Sequence, residues 1–276
     1  MCQRIVAIIG CGAIGSILAN AIDKKRTGNS DLRFLFDMNF ERAKDLADKL
    51  DGPTKVAKEL NEILEDKSVD LVIEAASQEA VIQDSADVLR SGKDLMVMSV
   101  GAFSDSDLLK EVRKVAEEAG KSIYLPSGAL VGLDGVKAAN IEKIDEITLV
   151  TRKPPEVLST TKYVQEQNID LSNLDRPQTI FESSAKNAVK AFPESVNVAA
   201  SLSLAGVGFE KTKVKIIADP SLTSNVHEVN VKGEVGELST KAKNVPSPDN
   251  PKTSYLAALS AIMTLRSLTE VISVGT

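Results

Sequence analysis

The stretch IIGCGAIG, residues 8–15, constrains this chain more than any other. It sets Gly10, Gly12 and Gly15 in G-x-G-x-x-G spacing, directly after the apolar run RIVAIIG and at the start of a helix-patterned segment from about Gly12 to Lys25. In such a strand–turn–helix unit each glycine has a steric reason. The first permits the tight turn, the second lets the backbone approach a pyrophosphate, and the third lets the helix lie close to the strand. Free N–H groups at the helix start, with the positive end of the helix dipole behind them, then meet the phosphates. Asp37 closes the next apolar run, LRFLFD, about 22 residues beyond Gly15. An acid there accepts hydrogen bonds from ribose hydroxyls; the alternative is a simple cap on the helix NFERAKDLADKL. The expected cradle is therefore Gly10, Gly12, Ala13, Ile14 and Gly15 with Asp37, and the expected cofactor is NAD or NADP. Asp37 would repel a 2′-phosphate, while Arg42 on the following helix keeps NADP open.

Strand and helix patterns alternate through the first half. DLVIEAAS, DLMVMS and SIYLPS read as further buried strands, separated by helical stretches over roughly Gln78–Ser91 and Ser104–Ala119. Alternation of this kind implies a mostly parallel sheet covered on both faces. Beyond about Leu125 the texture changes to EITLVTR, KVKIIAD, VHEVNV and GELSTKAKN, strand-like runs with fewer helices between them. The expected fold class is α/β: a Rossmann-type doubly wound domain over residues 1–126, and an α+β catalytic and dimerisation domain over 127–252 with a mixed or antiparallel sheet. An amphipathic helix, 253–276, is expected to pack back across the first domain. The weakly patterned connection 153–177 is long enough to cover a cleft or contact another subunit. In open parallel sheets ligands gather beyond the carboxyl ends of the strands. That places Ala75, Ala76 and Ser99 among the expected cofactor neighbours, with ordinary turn chemistry as the alternative at each.

Composition narrows the function classes. A net charge of −6, a pI of about 5.1 and no long basic run argue against nucleic acid or an anionic membrane surface as partner. With 43% hydrophobic residues but only 4% aromatics and no Trp, aliphatic residues must build the core. Residues 5–22 imitate a signal peptide, yet three glycines interrupt the run and a basic segment before it is almost absent. No other segment is apolar enough to span a bilayer. Cys2 and Cys11 are too few for a disulfide framework and lack metal-ligand spacing, so a cytoplasmic protein without a metal site is expected.

His227, in NVHEVNVKGEVGE, is the sole histidine. Strand alternation puts His227, Val229 and Val231 on one face and Val226, Glu228, Asn230 and Lys232 on the other. The polar set faces water, so the histidine points inward, as a packing residue or a cleft residue. Glu228 leaves the opposite face and is a poor orienting partner. Asn197 and Ser201 form a polar stripe on the apolar helix VNVAASLSLAG, serving either a ligand or nearby backbone. Lys252 precedes a helix start with Thr253 or Ser254 as N-cap, where a cation opposes the helix dipole unless an anion binds. Arg152, ending a second-domain strand, is another candidate cation.

Eight stretches taken together, GCGAIG, EAASQEAV, SVGAF, SGALVGLDG, TRKPPE, FPESVNVAASLSLAG, NVHEVNVKGEVGE and NPKTSYLAALSA, resemble the L-aspartate dehydrogenase family over nearly the whole chain. The resemblance implies NAD(P)-dependent oxidation of L-aspartate to iminoaspartate, which yields oxaloacetate and ammonia or feeds quinolinate and NAD synthesis. It also implies a homodimer, His227 as the catalytic residue, and Ala129 and Asn197 as coenzyme contacts. Asn197, Lys252 and Thr253 are the expected substrate contacts. Two other readings stand beside it: a different two-domain Rossmann oxidoreductase of the homoserine dehydrogenase or dihydrodipicolinate reductase kind, and a non-catalytic dinucleotide sensor.

Overall fold

The computed structural model describes residues 3–193, 197–247 and 250–275, the side chains of 250–253 excepted. The chain forms two compact units, Met1–Pro126 with Ala258–Val274, and Ser127–Ala257 with Gly275–Thr276.

Unit 1 begins with β1 (Arg4–Ile9), α1 (Ala13–Asp23), β2 (Ser30–Phe36) and α2 (Phe40–Ala47). It continues through β3 (Lys55–Val56), α3 (Leu60–Glu65), β4 (Leu71–Glu74) and α4 (Gln78–Arg90). It then runs through β5 (Asp94–Val97), a 3₁₀ turn (Val100–Ser104), α5 (Ser106–Ala119) and β6 (Ile123–Tyr124). The strands form one six-stranded sheet in the order β3-β2-β1-β4-β5-β6, with every pairing parallel. Central strands of such a sheet are covered on both faces, which is why β4 (LVIE) and β5 (DLMV) are buried at every position. Ser77 caps α4 by accepting from the Ala80 N–H, and Asp105 caps α5 by accepting from Asp107 and Leu108. The strand order reverses between β1 and β4, and their carboxyl ends frame the crevice where a ligand belongs.

Unit 2 opens with α6 (Leu133–Ala139), β7 (Ile144–Lys153), α7 (Pro155–Ser159), α8 (Lys162–Glu166) and β8 (Gln178–Ser184). It goes on with α9 (Ala185–Ala191), α10 (Asn197–Ala205), β9 (Lys213–Ala218), β10 (Val226–Gly233) and β11 (Gly236–Lys243). The short pair β12 (Pro246–Ser247) and β13 (Asn250–Ser254) precedes α11 (Tyr255–Ser267). The main sheet is five-stranded and mixed, in the order β11-β10-β7-β9-β8. Only β7 and β9 run parallel; the other pairs are antiparallel. One face carries the core, with Ile147 and Leu149 of β7 and Val229 and Val231 of β10 packed against Val136, Ala188, Ala199 and Leu202 from the helices. Tyr163, Phe181 and Phe192 stack edge-on and tilted at its margin, with ring centroids 4.8–5.5 Å apart.

Several elements differ from expectation. The connection 153–177 holds two short helices, α7 and α8, and the first opens on Pro155. Its polar composition hides them, since neither has more than one buried residue. The final helix is shorter than 253–276. The chain remains a strand through Ser254, where the Tyr255 N–H bonds to the Val245 carbonyl. At the other end the Thr269 hydroxyl donates to the Arg266 carbonyl and accepts from the Asn29 N–H, which turns the chain out of the helix. Ala261 and Leu265 of α11 belong to the same core cluster as Val6, Leu18, Leu35 and Ile73. Among the described residues, no helix is long and apolar enough to cross a membrane.

Candidate active site

The glycine loop is built as its spacing requires. Gly10 has φ +95°, and a Cβ there would sit 2.6 Å from the Ala75 carbonyl oxygen. A Cβ on Gly15 would fall 1.9 Å from the Gly10 carbonyl oxygen, so only glycine lets α1 start this close to the turn. At Gly12 an added Cβ meets nothing within 4 Å, and α1 begins there without a side-chain cap. Its first turn, including the N–H groups of Ala13 and Ile14, is thus an anion-binding end facing open space.

Asp37 accepts from the Cys11 N–H (2.8 Å) with one carboxylate oxygen and from the Asn39 N–H (2.8 Å) with the other. The cap of α2 is Asn39, which accepts from the Arg42 N–H, so the capping alternative for Asp37 falls away. Instead Asp37 fastens the glycine loop to the end of β2, and its remaining lone pairs suit ribose hydroxyls. Arg42 Nη1 lies 3.6 Å from its Oδ2. The Cys11 thiol is pushed up to about 12, by burial and then by the Asp37 charge, and stays protonated.

At the carboxyl ends of β4 and β5, Glu74 ties two loops together. Its carboxylate accepts from the Ala76 N–H (2.8 Å), the Ser99 N–H (3.0 Å) and the Ser99 hydroxyl (2.8 Å). Burial raises its pKa, and these donors oppose the rise. Ala75 is held separately, its N–H on the Ile9 carbonyl. The expected cofactor neighbours Ala75, Ala76 and Ser99 thus share one braced edge.

In unit 2, His227 is 6% exposed on the inner face of β10. It pairs with Thr151 of β7, whose Oγ1 lies 2.9 Å from Nδ1. Burial first, and the nearby Lys153 charge second, lower the His227 pKa to about 4, so the ring is neutral near pH 7. When Nδ1–H donates to Thr151, the other ring nitrogen presents a lone pair. Glu228 lies on the opposite face, 3.6 Å from Arg152 and 2.9 Å from Lys241.

Arg152, expected as a candidate cation, also lies on that outer face, bound to Glu228 and 3.9 Å from Asp219. Alternation along β7 puts Lys153, not Arg152, on the His227 face. Ala129 is buried, and its carbonyl accepts from Asn244 Nδ2 (3.2 Å), whose Oδ1 accepts from the Ser254 hydroxyl (2.8 Å). Asn197 opens α10 as an exposed residue, with Ser201 buried one turn on. Lys252 and Thr253 lie on β13, and their side chains fall outside the described residues. Sequence reasoning missed Glu74, Thr151, Lys153 and Asn244. The signal for Thr151 and Lys153 was present, because EITLVTRK alternates Ile147, Leu149, Thr151 and Lys153 onto one face.

A turn open to phosphate, backed by an acid placed for a ribose at a reversal of strand order, suits a dinucleotide. The fold that carries it is that of the NAD(P)-dependent dehydrogenases. Residues 10–126 match the NAD binding domain of homoserine dehydrogenase, and residues 134–268 match the C-terminal domain of aspartate dehydrogenase. L-aspartate dehydrogenase of Methanosarcina barkeri is 46% identical over 98% of this chain and 99% of its own length. The enzyme of Methanococcus maripaludis is 40% identical over the same shares. The crystal structure of aspartate dehydrogenase from Thermotoga maritima superposes with a TM-score of 0.79 at 28% identity, covering 99% of this chain and 100% of that one. GenD2 from gentamicin A biosynthesis, in complex with NAD, shares the fold alone, at a TM-score of 0.56 and 14% identity over 100% and 90% of the two chains. The chain belongs to the L-aspartate dehydrogenase family and is an NAD(P)-dependent oxidoreductase.

Proposed function

We propose that the protein oxidises L-aspartate to iminoaspartate and runs the reverse reductive amination. The imine hydrolyses to oxaloacetate and ammonia or passes on to quinolinate and NAD synthesis. The observation that carries this reading is a neutral, inward histidine bonded to Thr151, on a chain whose 40–47% identical relatives are L-aspartate dehydrogenases.

The nicotinamide supplies the hydride acceptor. Gly10, Gly12, Ala13, Ile14 and Gly15 hold the phosphates, Asp37 the ribose, and Ala75, Ala76, Ser99, Ala129 and Asn197 complete the coenzyme contacts. Asp37 favours NAD, while Arg42 beside it lessens the penalty on a 2′-phosphate. Aspartate presents an ammonium, which has no lone pair and cannot become an imine until it loses a proton. His227 takes that proton through the ring nitrogen opposite Thr151. Its basicity in the free protein is low, and the negative carboxylates of the substrate raise it on binding. Lys252 and Thr253 serve the substrate from the segment before α11. We place the enzyme in the cytoplasm as a homodimer.

The test is His227→Ala with L-aspartate and NAD, followed at the nicotinamide absorbance. Turnover should fall by roughly 10²-fold or more, the range for a lost acid–base group, while NAD affinity by calorimetry is retained. Turnover near that of the unmodified enzyme would remove His227 from the chemistry.

A further inference from the structure

Glu74 is the last residue of β4, and at 2% exposure it is the most enclosed acid among the described residues. The other buried acids each meet a cation: Asp94 has Arg4 at 3.0 Å, and Asp219 has Arg152 at 3.9 Å. Among the described residues Glu74 has no such partner. Its carboxylate accepts from the N–H groups of Ala76, Ser77 and Ser99 and from the Ser99 hydroxyl, donors that carry no net charge. Each of these bonds runs into the side chain, the pattern of an ionised carboxylate, which offers sites for about four donors. Neutral acceptors or water satisfy such donors equally well, so tying the loops does not by itself call for a charge. An anion withdrawn from water without a counter-ion is costly, and the protein does not supply one here.

The rest of unit 1 shows where a counter-ion would come from. Asp37, at the end of β2, is placed for the adenosine ribose, and the first turn of α1, just after β1, is placed for the phosphates. The strand order is β3-β2-β1-β4-β5-β6. A dinucleotide lying along the carboxyl edge, with its adenosine over β2 and its phosphates over β1, brings its nicotinamide over β4 and β5. Those are the strands whose ends Glu74 joins, through Ala76 on one side and Ser99 on the other. Oxidised nicotinamide carries a positive charge on its ring, and the reduced ring is neutral. In a buried site of low dielectric, an unneutralised carboxylate acts on such a charge without touching it.

We propose that Glu74 is a coenzyme-selecting residue whose charge serves as counter-ion to the oxidised nicotinamide, so that the site distinguishes the two forms of the coenzyme. This rests on the placement of the coenzyme along this edge and deepens it by giving the brace an electrostatic role. Glu74 faces a cation before hydride transfer and a neutral ring after it. Its attraction therefore holds the form that arrives to be reduced and lapses on the form that must leave.

The experiment is calorimetry of the full-length protein with oxidised and reduced NAD, or with the NADP pair if only that is bound. Glu74→Gln should lose at least about threefold more affinity for the oxidised form than for the reduced one, the mark of a lost charge–charge attraction. A purely structural lesion would weaken both alike, because they share the adenosine and the phosphates. Glu74→Asp keeps the charge, and its ratio of the two affinities should lie nearer that of the unmodified protein than that of Glu74→Gln. A smaller differential in Glu74→Gln, or a ratio in Glu74→Asp nearer to that of Glu74→Gln, overturns the proposal. A third arm needs no variant and decides the matter if Glu74→Gln does not fold. Benzamide adenine dinucleotide, in which carbon replaces the charged ring nitrogen, should bind the unmodified protein at least about threefold more weakly than oxidised NAD; a smaller difference sinks the idea. No arm uses an amino acid, so failure of the aspartate reading leaves the comparison standing. An unmodified protein that binds neither coenzyme form would remove the coenzyme placement, and this role with it.

Discussion

The ring of His227 is the most informative single group in the molecule. Two causes of the same sign, burial and then the Lys153 ammonium, hold its pKa down to about 4. As the sole histidine, it gives one Hε1 signal in a proton NMR titration. That signal should titrate near 4, and in Lys153→Met the midpoint should move up toward the unperturbed 6.5; a midpoint near 6.5 in the unmodified protein would contradict the burial described. The same shift has a stability consequence. The folded pKa lies below the unfolded one, so the unfolded chain binds the extra proton first as pH falls. Stability from this group is fully present above about 6.5 and is lost as pH drops through the folded value near 4. Its size is about 3 kcal/mol, from a shift of 2–3 pK units. Urea unfolding at pH 7 and pH 4.5, in parallel with His227→Asn, isolates it; identical pH dependence in both proteins would refute the linkage.

Elements differ in how much of themselves they write into sequence. Buried parallel strands were legible because β1, β2, β4 and β5 are short apolar runs bounded by turns, and the glycine loop was legible because steric need leaves no other residue at Gly10 and Gly15. The two-residue β3, the mixed-polarity β8 and helices α7 and α8 carry too few buried side chains to set a period. The site split along similar lines. His227 and Asp37 announce themselves by type and place, whereas Glu74 reads as an ordinary strand end. Only its donors from Ala76, Ser77 and Ser99 reveal a brace. Glu74→Gln turns an amide NH₂ toward at least one of those donors, leaving a buried group unpaired at a cost of about 1–3 kcal/mol. Its signature should be two coupled losses, a lower unfolding midpoint in urea and NAD binding weakened about fivefold or more by calorimetry. Unchanged NAD affinity would show that the loops keep their form without it.

At the scale of the whole molecule, the chain leaves its first unit after Pro126 and returns to it at Ala258. Unit 1 is made of Met1–Pro126 and the distant Ala258–Val274, whose Ala261 and Leu265 are fully buried in the first unit's core. Removing a buried leucine alone costs about 2–5 kcal/mol, and a fragment 1–126 loses the whole helix. Such a fragment should show strand and helix by far-ultraviolet circular dichroism but bind NAD poorly and unfold without a sharp transition. Supplying residues 255–274 as a fused or added peptide should restore both; a fragment that folds cooperatively by itself would mean α11 is dispensable to that core.

This crossing gives the protein an order of assembly. Synthesis at ~5–20 residues per second separates the completion of β6 from that of α11 by on the order of ten seconds. Through that interval the nascent parallel sheet displays the apolar ground on which Ala261 and Leu265 will pack, while residues 127–257 are being made. The unit made first is thus the unit finished last, and chaperones have most to guard at the amino-terminal half.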